Sequence, residues 1–350
     1  MEGIKVIPLL LIGRFLAQLI VIHAKVSSII VFGDSSVDAG NNNYVATILK
    51  SNFEPYGRDF NGSHPTGRFC NGRIATDFIS EALGIRSIVP AYLDPQYGMV
   101  DFVRGVSFAS AGTGYDNLTS AVLSVIPLSK ELDYFKEYHA KMRDYLGALE
   151  AEKVLRDALY VISLGTNDFL ENYYTLPTRS TVYSIQEYQD FLQGIAKTFI
   201  IDLYSLGARK ISLAGLPPMG CLPLERTPNY FPGSNCTHEY NVVAKQFNVK
   251  LQQLVTSLNK RIHDIQLVYS DVYKILSDII KNPRFFGFED GHVPCCTGGK
   301  YEISYLCNRF SSSTCKAANK YVFWDSFHPS EKANLIVADY ILKTAVKRIL

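Results

Sequence analysis

Charge is scarce in this chain. Only 19% of its 350 residues are charged, and 35 basic against 33 acidic side chains leave a formal net charge of +2. No run of Lys and Arg breaks the balance. A nucleic-acid partner requires a basic stripe, so that class is excluded. With 47% hydrophobic residues the chain is too apolar for intrinsic disorder. Internal repeats, low-complexity tracts and Pro/Ser-rich linkers are also missing, and the length allows a large core in one sizeable domain or two modest ones.

Several chemical signatures are absent as well. There is no CxxC pair, and the adjacent Cys295 and Cys296 suit one tetrahedral zinc ion poorly. There is no HExxH and no P-loop. The glycines after Ser110 are misplaced for GxGxxG, so dinucleotide binding is excluded. No GxSxG elbow occurs, which argues against the α/β-hydrolase fold. Asp38 to Asn43 lacks the spacing and terminal Glu of a calcium loop and reads as a polar turn. No metal ligand set is left.

Long apolar runs are confined to the N-terminus. Val6 to Ile22 follows Lys5, is interrupted by Arg14 and ends at His23-Ala24. That is too short and broken to span a bilayer, and it has the layout of a signal peptide over residues 1–24. The mature chain is then one domain over residues 25–350, secreted, without a transmembrane segment. In an oxidising compartment its cysteines form disulfides. Cys221 and Cys236 flank one Pro/Gly-rich loop, and Cys295, Cys296, Cys307 and Cys315 cluster further on. One bridge is expected in the first pair and two within the cluster, with isolated Cys70 free. Sequons at Asn61, Asn117 and Asn235 become glycosylation sites in that setting.

The rest alternates short apolar runs with helical patterns. Ser28–Phe32, Phe102–Ala109, Ala158–Leu164, Lys210–Ala214 and Ile265–Tyr269 are β-branched and nearly all apolar, as for strands covered on both faces. Helices are expected over Gly72–Ala82, Ser129–Leu146 with Ser129 as N-cap, Gln186–Leu206, Thr237–Ile262 and Ser330–Ile349. Such alternation predicts an α/β fold, a three-layer α/β/α sandwich around a five-stranded parallel sheet. Reactive groups then belong in the loops at the strands' carboxyl ends.

Those loops hold a coherent set. The first strand runs into Gly33-Asp34-Ser35-Ser36 and exposes a hydroxyl. The second runs into Ser110-Ala111-Gly112-Thr113-Gly114, where glycine lets a backbone amide face a ligand. The third runs into Gly165-Thr166-Asn167-Asp168, which supplies a carboxamide. Near the C-terminus, Asp325 and His328 lie three residues apart and can meet on one turn. The carboxylate then fixes the imidazole tautomer. A hydrolytic serine needs a base, a group orienting the base and donors for the oxyanion. His64, His139, His238, His263 and His292 lack such a setting and read as structural or surface residues.

These blocks resemble those of the SGNH hydrolase superfamily. Val31 to Asn43 (VFGDSSVDAGNNN), Thr66 to Arg73 (TGRFCNGR), Leu216 to Pro223 (LPPMGCLP) and Tyr321 to Pro329 (YVFWDSFHP) resemble the plant GDSL-type esterase/lipase family. The resemblance runs from about Ser28 to the end. It implies a flavodoxin-like fold and cofactor-free hydrolysis of carboxylic esters. Its substrate would be a small ester or lipid, its place the plant apoplast or cell wall, and a monomer is the default. Ser35, Asp325 and His328 become the catalytic residues. The amides of Ser35 and Gly112 and the side chain of Asn167 become the oxyanion hole. Ser36 departs from the family's Leu. Ala111-Gly112 stands where some members have Gly-Gly, so either amide can be the donor and Gly112 is the choice made here. The same acyl-enzyme would also serve an acyltransferase building extracellular polyesters or lipids. A non-catalytic binding protein on the same fold is a third reading.

Overall fold

The computed structural model describes residues 26–60, 62–226, 236–296, 306–310 and 314–350. The proposed leader 1–24 and the sequon residues Asn61 and Asn235 lie outside them.

Five parallel strands form one sheet: β1 (Ile29–Gly33), β2 (Gly105–Ser107), β3 (Leu159–Ser163), β4 (Lys210–Ala214) and β5 (Gln266–Ser270). Their order is β2-β1-β3-β4-β5. Among the described residues ten α-helices accompany them: α1 (Ala75–Ala82), α2 (Met99–Phe102), α3 (Asn117–Leu123), α4 (Leu128–Leu146), α5 (Ala148–Asp157), α6 (Ile185–Ser205), α7 (Pro223–Arg226), α8 (His238–Arg261), α9 (Val272–Lys281) and α10 (Glu331–Thr344). This is the doubly wound α/β architecture expected above. Its order reverses between β1 and β3, so a crevice opens at their carboxyl ends.

Burial explains the apolar runs. All five residues of β1 are buried. Phe32 packs against Phe135 of α4 and Phe199 of α6, and Tyr160 of β3 meets Phe135 edge-on. Alternate strand residues face the other layer, where α1 packs on α10 and α10 on α9. Covered on both faces, β1 carries no polar side chain at all.

Local corrections have local causes. Phe102 closes α2 rather than opening a strand, because Asp101 accepts from the Gly98 amide and starts a helical turn. The ladder still runs past β2, since the amides of Phe108 and Ser110 donate to the carbonyls of Val31 and Gly33. Helix α4 starts one residue earlier than expected. Its N-cap is Pro127, and the Ser129 hydroxyl donates to the Asn117 side chain instead. Helix α10 ends at Thr344 and gives way to a 3-10 turn over Val346–Arg348. Ser184 caps α6 and exchanges bonds with Glu187.

Cysteine pairing follows the sequence expectation and adds the connectivity. The bridges are Cys221–Cys236, Cys295–Cys315 and Cys296–Cys307. Cys70 is free and buried, and burial pushes its thiol well above the usual range, which leaves it unreactive. No helix among the described residues is long and apolar enough to cross a membrane.

Candidate active site

The nucleophile turn is built from β1. A side chain at Gly33 would meet the Ser163 carbonyl at 2.2 Å, so only glycine lets β1 lie this close to β3. The Asp34 amide then donates to the same carbonyl. The Asp34 carboxylate accepts from the Ser36 amide and hydroxyl. The Ser36 hydroxyl also bonds the Ser163 hydroxyl at 2.9 Å. Serine in place of the family's leucine thus ties the turn to β3, a contact leucine cannot make. Between these anchors stands Ser35.

The C-terminal turn is held just as tightly. The Trp324 amide donates to the His328 carbonyl, and Phe323 bridges Pro329. Inside the turn, Asp325 Oδ1 accepts from the amides of Phe327 and His328 at 2.9 and 2.7 Å. His328 Nδ1 lies 2.9 Å from both carboxylate oxygens. Its Nε2 lies 2.7 Å from Ser35 Oγ, 293 residues away in the chain. Asp325 is wholly buried and His328 only 5% exposed, so water barely screens the pair.

Asn167 follows β3 and donates one amide proton to the Thr113 carbonyl at 2.9 Å. Since a carboxamide carries two such protons, that bond orients the second. The Ala111 amide donates to Asp38 Oδ2 at 3.0 Å and is therefore engaged. Gly112, at φ +89°, borders a small cavity together with Ser35, Asn167 and His328. The structure thus brings Ser35, Gly112, Asn167, Asp325 and His328 to one crevice. Asn117 stands apart at the start of α3, exposed.

Sequence reasoning missed the groups behind these residues. The Tyr56 hydroxyl donates to Asp325 Oδ2 at 2.7 Å. Phe69 sits 5.0 Å from the His328 ring, and Arg68 next to it makes a buried bidentate pair with Asp77. Asp38 holds the amides of Gly40, Asn41 and Ala111, so the polar turn grips the Gly112 loop. Asp168 holds the loop's far end through the amides of Tyr115 and Asp116 and the Thr119 hydroxyl. The presence of Asn41-Asn42-Asn43 in the first block was a signal. Asn41 and Asn42 bond the carbonyls of Ser107, Ala109 and Ala111.

These buried carboxyls carry a pH signature. Burial holds Asp38 up at about 6 and Asp168 at about 7, despite the N–H groups that favour their charged forms. Burial also raises Glu131, which accepts from the Gly33 amide beneath the nucleophile turn. A carboxyl raised by folding binds its proton more tightly in the folded state. Its contribution is therefore most favourable at low pH and is lost as pH rises toward the folded value. For Asp168 that window runs from about 4 to about 7. Asp168→Asn should flatten the decline of unfolding free energy across it, by up to about 1.4 kcal/mol per pH unit. Urea titrations of both proteins at several pH values measure this. The difference isolates Asp168 from His139 and His292, whose burial acts in the opposite sense. Parallel curves would disprove the assignment.

Known proteins resemble this chain along most of its length. The family model for GDSL-like lipase/acylhydrolase matches residues 29–341. The Arabidopsis thaliana protein GDSL esterase/lipase At4g26790 is 57% identical over 340 residues, covering 97% of each chain. GDSL esterase/lipase At2g04570 of the same plant is 57% identical over 326 residues, covering 93% of each. A solved acetyl-xylooligosaccharide esterase from Geobacillus aligns with 91% of this chain and 95% of its own, at 14% identity and a TM-score of 0.42. By the family match across most of its length and this degree of identity to full-length relatives, the chain belongs to the GDSL-like lipase/acylhydrolase family and is a carboxylic ester hydrolase.

Proposed function

We propose that Ser35, His328 and Asp325 form a catalytic triad that cleaves carboxylic esters through an acyl-enzyme. The observation carrying this reading is the 2.7 Å contact of His328 Nε2 with Ser35 Oγ while Nδ1 is held by Asp325. His328 takes the Ser35 proton as Oγ attacks the ester carbonyl. Asp325 keeps the proton on Nδ1 and stabilises the imidazolium. The negative oxygen of the tetrahedral intermediate takes hydrogen bonds from the amides of Ser35 and Gly112 and from Asn167 Nδ2. Engagement of the Ala111 amide by Asp38 supports Gly112 as the loop donor. His328 then protonates the departing alcohol, and water releases the acid by the same steps.

Labelling with a serine-reactive phosphonate tests the nucleophile. Peptide mapping should find the label on Ser35, and a label elsewhere would refute the triad. Product analysis with a lipid alcohol present separates hydrolysis from acyl transfer. Asn167→Ala tests the oxyanion role. It should lower kcat by roughly two to three orders of magnitude and leave KM nearly unchanged. A large rise in KM with normal kcat would place Asn167 in ground-state binding instead.

Secretion belongs to the same proposal. Residues 1–24 act as a signal peptide and 25–350 as the mature domain. Three disulfides support an oxidising compartment. Exposure of Asn117 leaves its side chain accessible to a glycan. Expression with the native leader should yield medium-borne protein beginning at Lys25.

A further inference from the structure

Two cavities meet at Ser35 and His328. One contains Gly112 and Asn167 and is small, about 40 Å³. The other, about 110 Å³, shares Ser35, Phe327 and His328 but neither Gly112 nor Asn167. It lies over the carboxyl ends of β1, β3 and β4, beneath α1, α9 and α10. Leu276 and Ile280 of α9 and Val337 and Ile341 of α10 line it, and all four are buried.

The chemistry of the lining is one-sided. Several of its polar members are already paired. Ser36 bonds Ser163 and Asp34, and Asn334 bonds the Pro329 carbonyl. None of the buried unpaired polar side-chain atoms among the described residues borders this cavity. The lining is predominantly apolar, which suits an apolar ligand better than a polar one. An apolar cavity of this size forgoes packing contacts, which an apolar group seated beside the nucleophile would restore.

We propose that this cavity receives the acyl chain of the substrate ester, and that the enzyme prefers short to medium acyl groups. The inference rests on the triad reading above. The acyl group stays bound to Ser35 after the alcohol leaves, so it needs the apolar space beside the nucleophile. The alcohol needs only His328 and a way out. Size sets the length. An apolar cavity of about 150 Å³ accommodates benzene, with its six carbons. In proportion, this one holds roughly four carbons, with one or two more reaching the rim.

A series of p-nitrophenyl esters from acetyl to dodecanoyl tests this. From acetyl upward, kcat/KM should rise about fourfold per methylene. It should peak near four to six carbons and fall at least tenfold by dodecanoyl. Ala75→Phe narrows the cavity at the first, half-buried residue of α1. It should lower the hexanoyl-to-acetyl ratio of kcat/KM about tenfold. Ile280→Ala opens the far wall and should move the peak one or two carbons longer. A flat profile, or a peak that neither variant moves, overturns the proposal. So does a series of acetates of different alcohols in which the variants shift alcohol preference instead, because the cavity would then hold the leaving group. Failure of the triad reading shows differently, as a phosphonate label on a residue other than Ser35 or near-normal ester turnover in Ser35→Ala. In that event hexanoate binding, followed by NMR titration of wild type against Ala75→Phe, decides. Loss of hexanoate binding in the variant supports the cavity, and equal binding or none overturns it.

Discussion

Ser35→Ala lowers ester turnover by roughly four to six orders of magnitude and leaves the fold intact. The size follows from covalent catalysis. Without Oγ no acyl-enzyme forms, and the remaining groups can only stabilise charge around a water attack. The fold should survive because the turn is held by other atoms. The Gly33 amide donates to Glu131, the Asp34 amide anchors the turn to the Ser163 carbonyl, and Ser36 anchors it to the Ser163 hydroxyl. A single-turnover assay with an activated ester, alongside thermal melting, measures both effects. Near-normal turnover in a folded Ser35→Ala protein would remove Ser35 from the reaction.

Asp325→Asn is expected to cost about 10⁴-fold in kcat. Here geometry survives and protonation does not. The carboxylate accepts at Oδ1 from two backbone amides and at Oδ2 from the Tyr56 hydroxyl. Asparagine keeps the oxygen at one position and places an N–H donor at the other. That donor favours the tautomer with an unprotonated Nδ1. Nε2 then carries the proton, points it at Ser35 and cannot accept another. Tyr56→Phe removes a hydrogen bond to the same carboxylate but leaves its charge and acceptor role. It should cost only about tenfold, the value of one hydrogen bond to a charged group. NMR of the His328 ring nitrogens reads the tautomer directly. A normal tautomer in Asp325→Asn, or a Tyr56→Phe loss as large as that of Asp325→Asn, would mean that Asp325 acts otherwise.

Much of this was legible in the chain because it is local. Strand identity follows from β-branched apolar runs, and β4 begins and ends where the pattern places it. The nucleophile turn, the carboxamide turn and the Asp325–His328 turn each span a few residues. Where local pattern failed, neighbouring contacts outweighed it. Phe102 is as apolar as a strand residue, yet the Gly98–Asp101 turn draws it into α2. Ser129 has the side chain of a cap, yet the helix begins before it.

By itself the sequence determined the parallel sheet, the loops that carry chemistry, the identity of Ser35, Asn167, Asp325 and His328 as residues that meet there and the one cysteine left unpaired. Each is set by the order of residue types along a short stretch, or by the parity of a count. Only the tertiary structure decided that Tyr56 reaches Asp325, that Asp38 occupies the Ala111 amide beside Gly112, which clustered cysteines join, and that a cavity lies between β1, β3, β4 and the α1–α9–α10 layer. These features depend on distances between segments tens to hundreds of residues apart. Such distances are set when the whole core packs, and no local run of residue types encodes them.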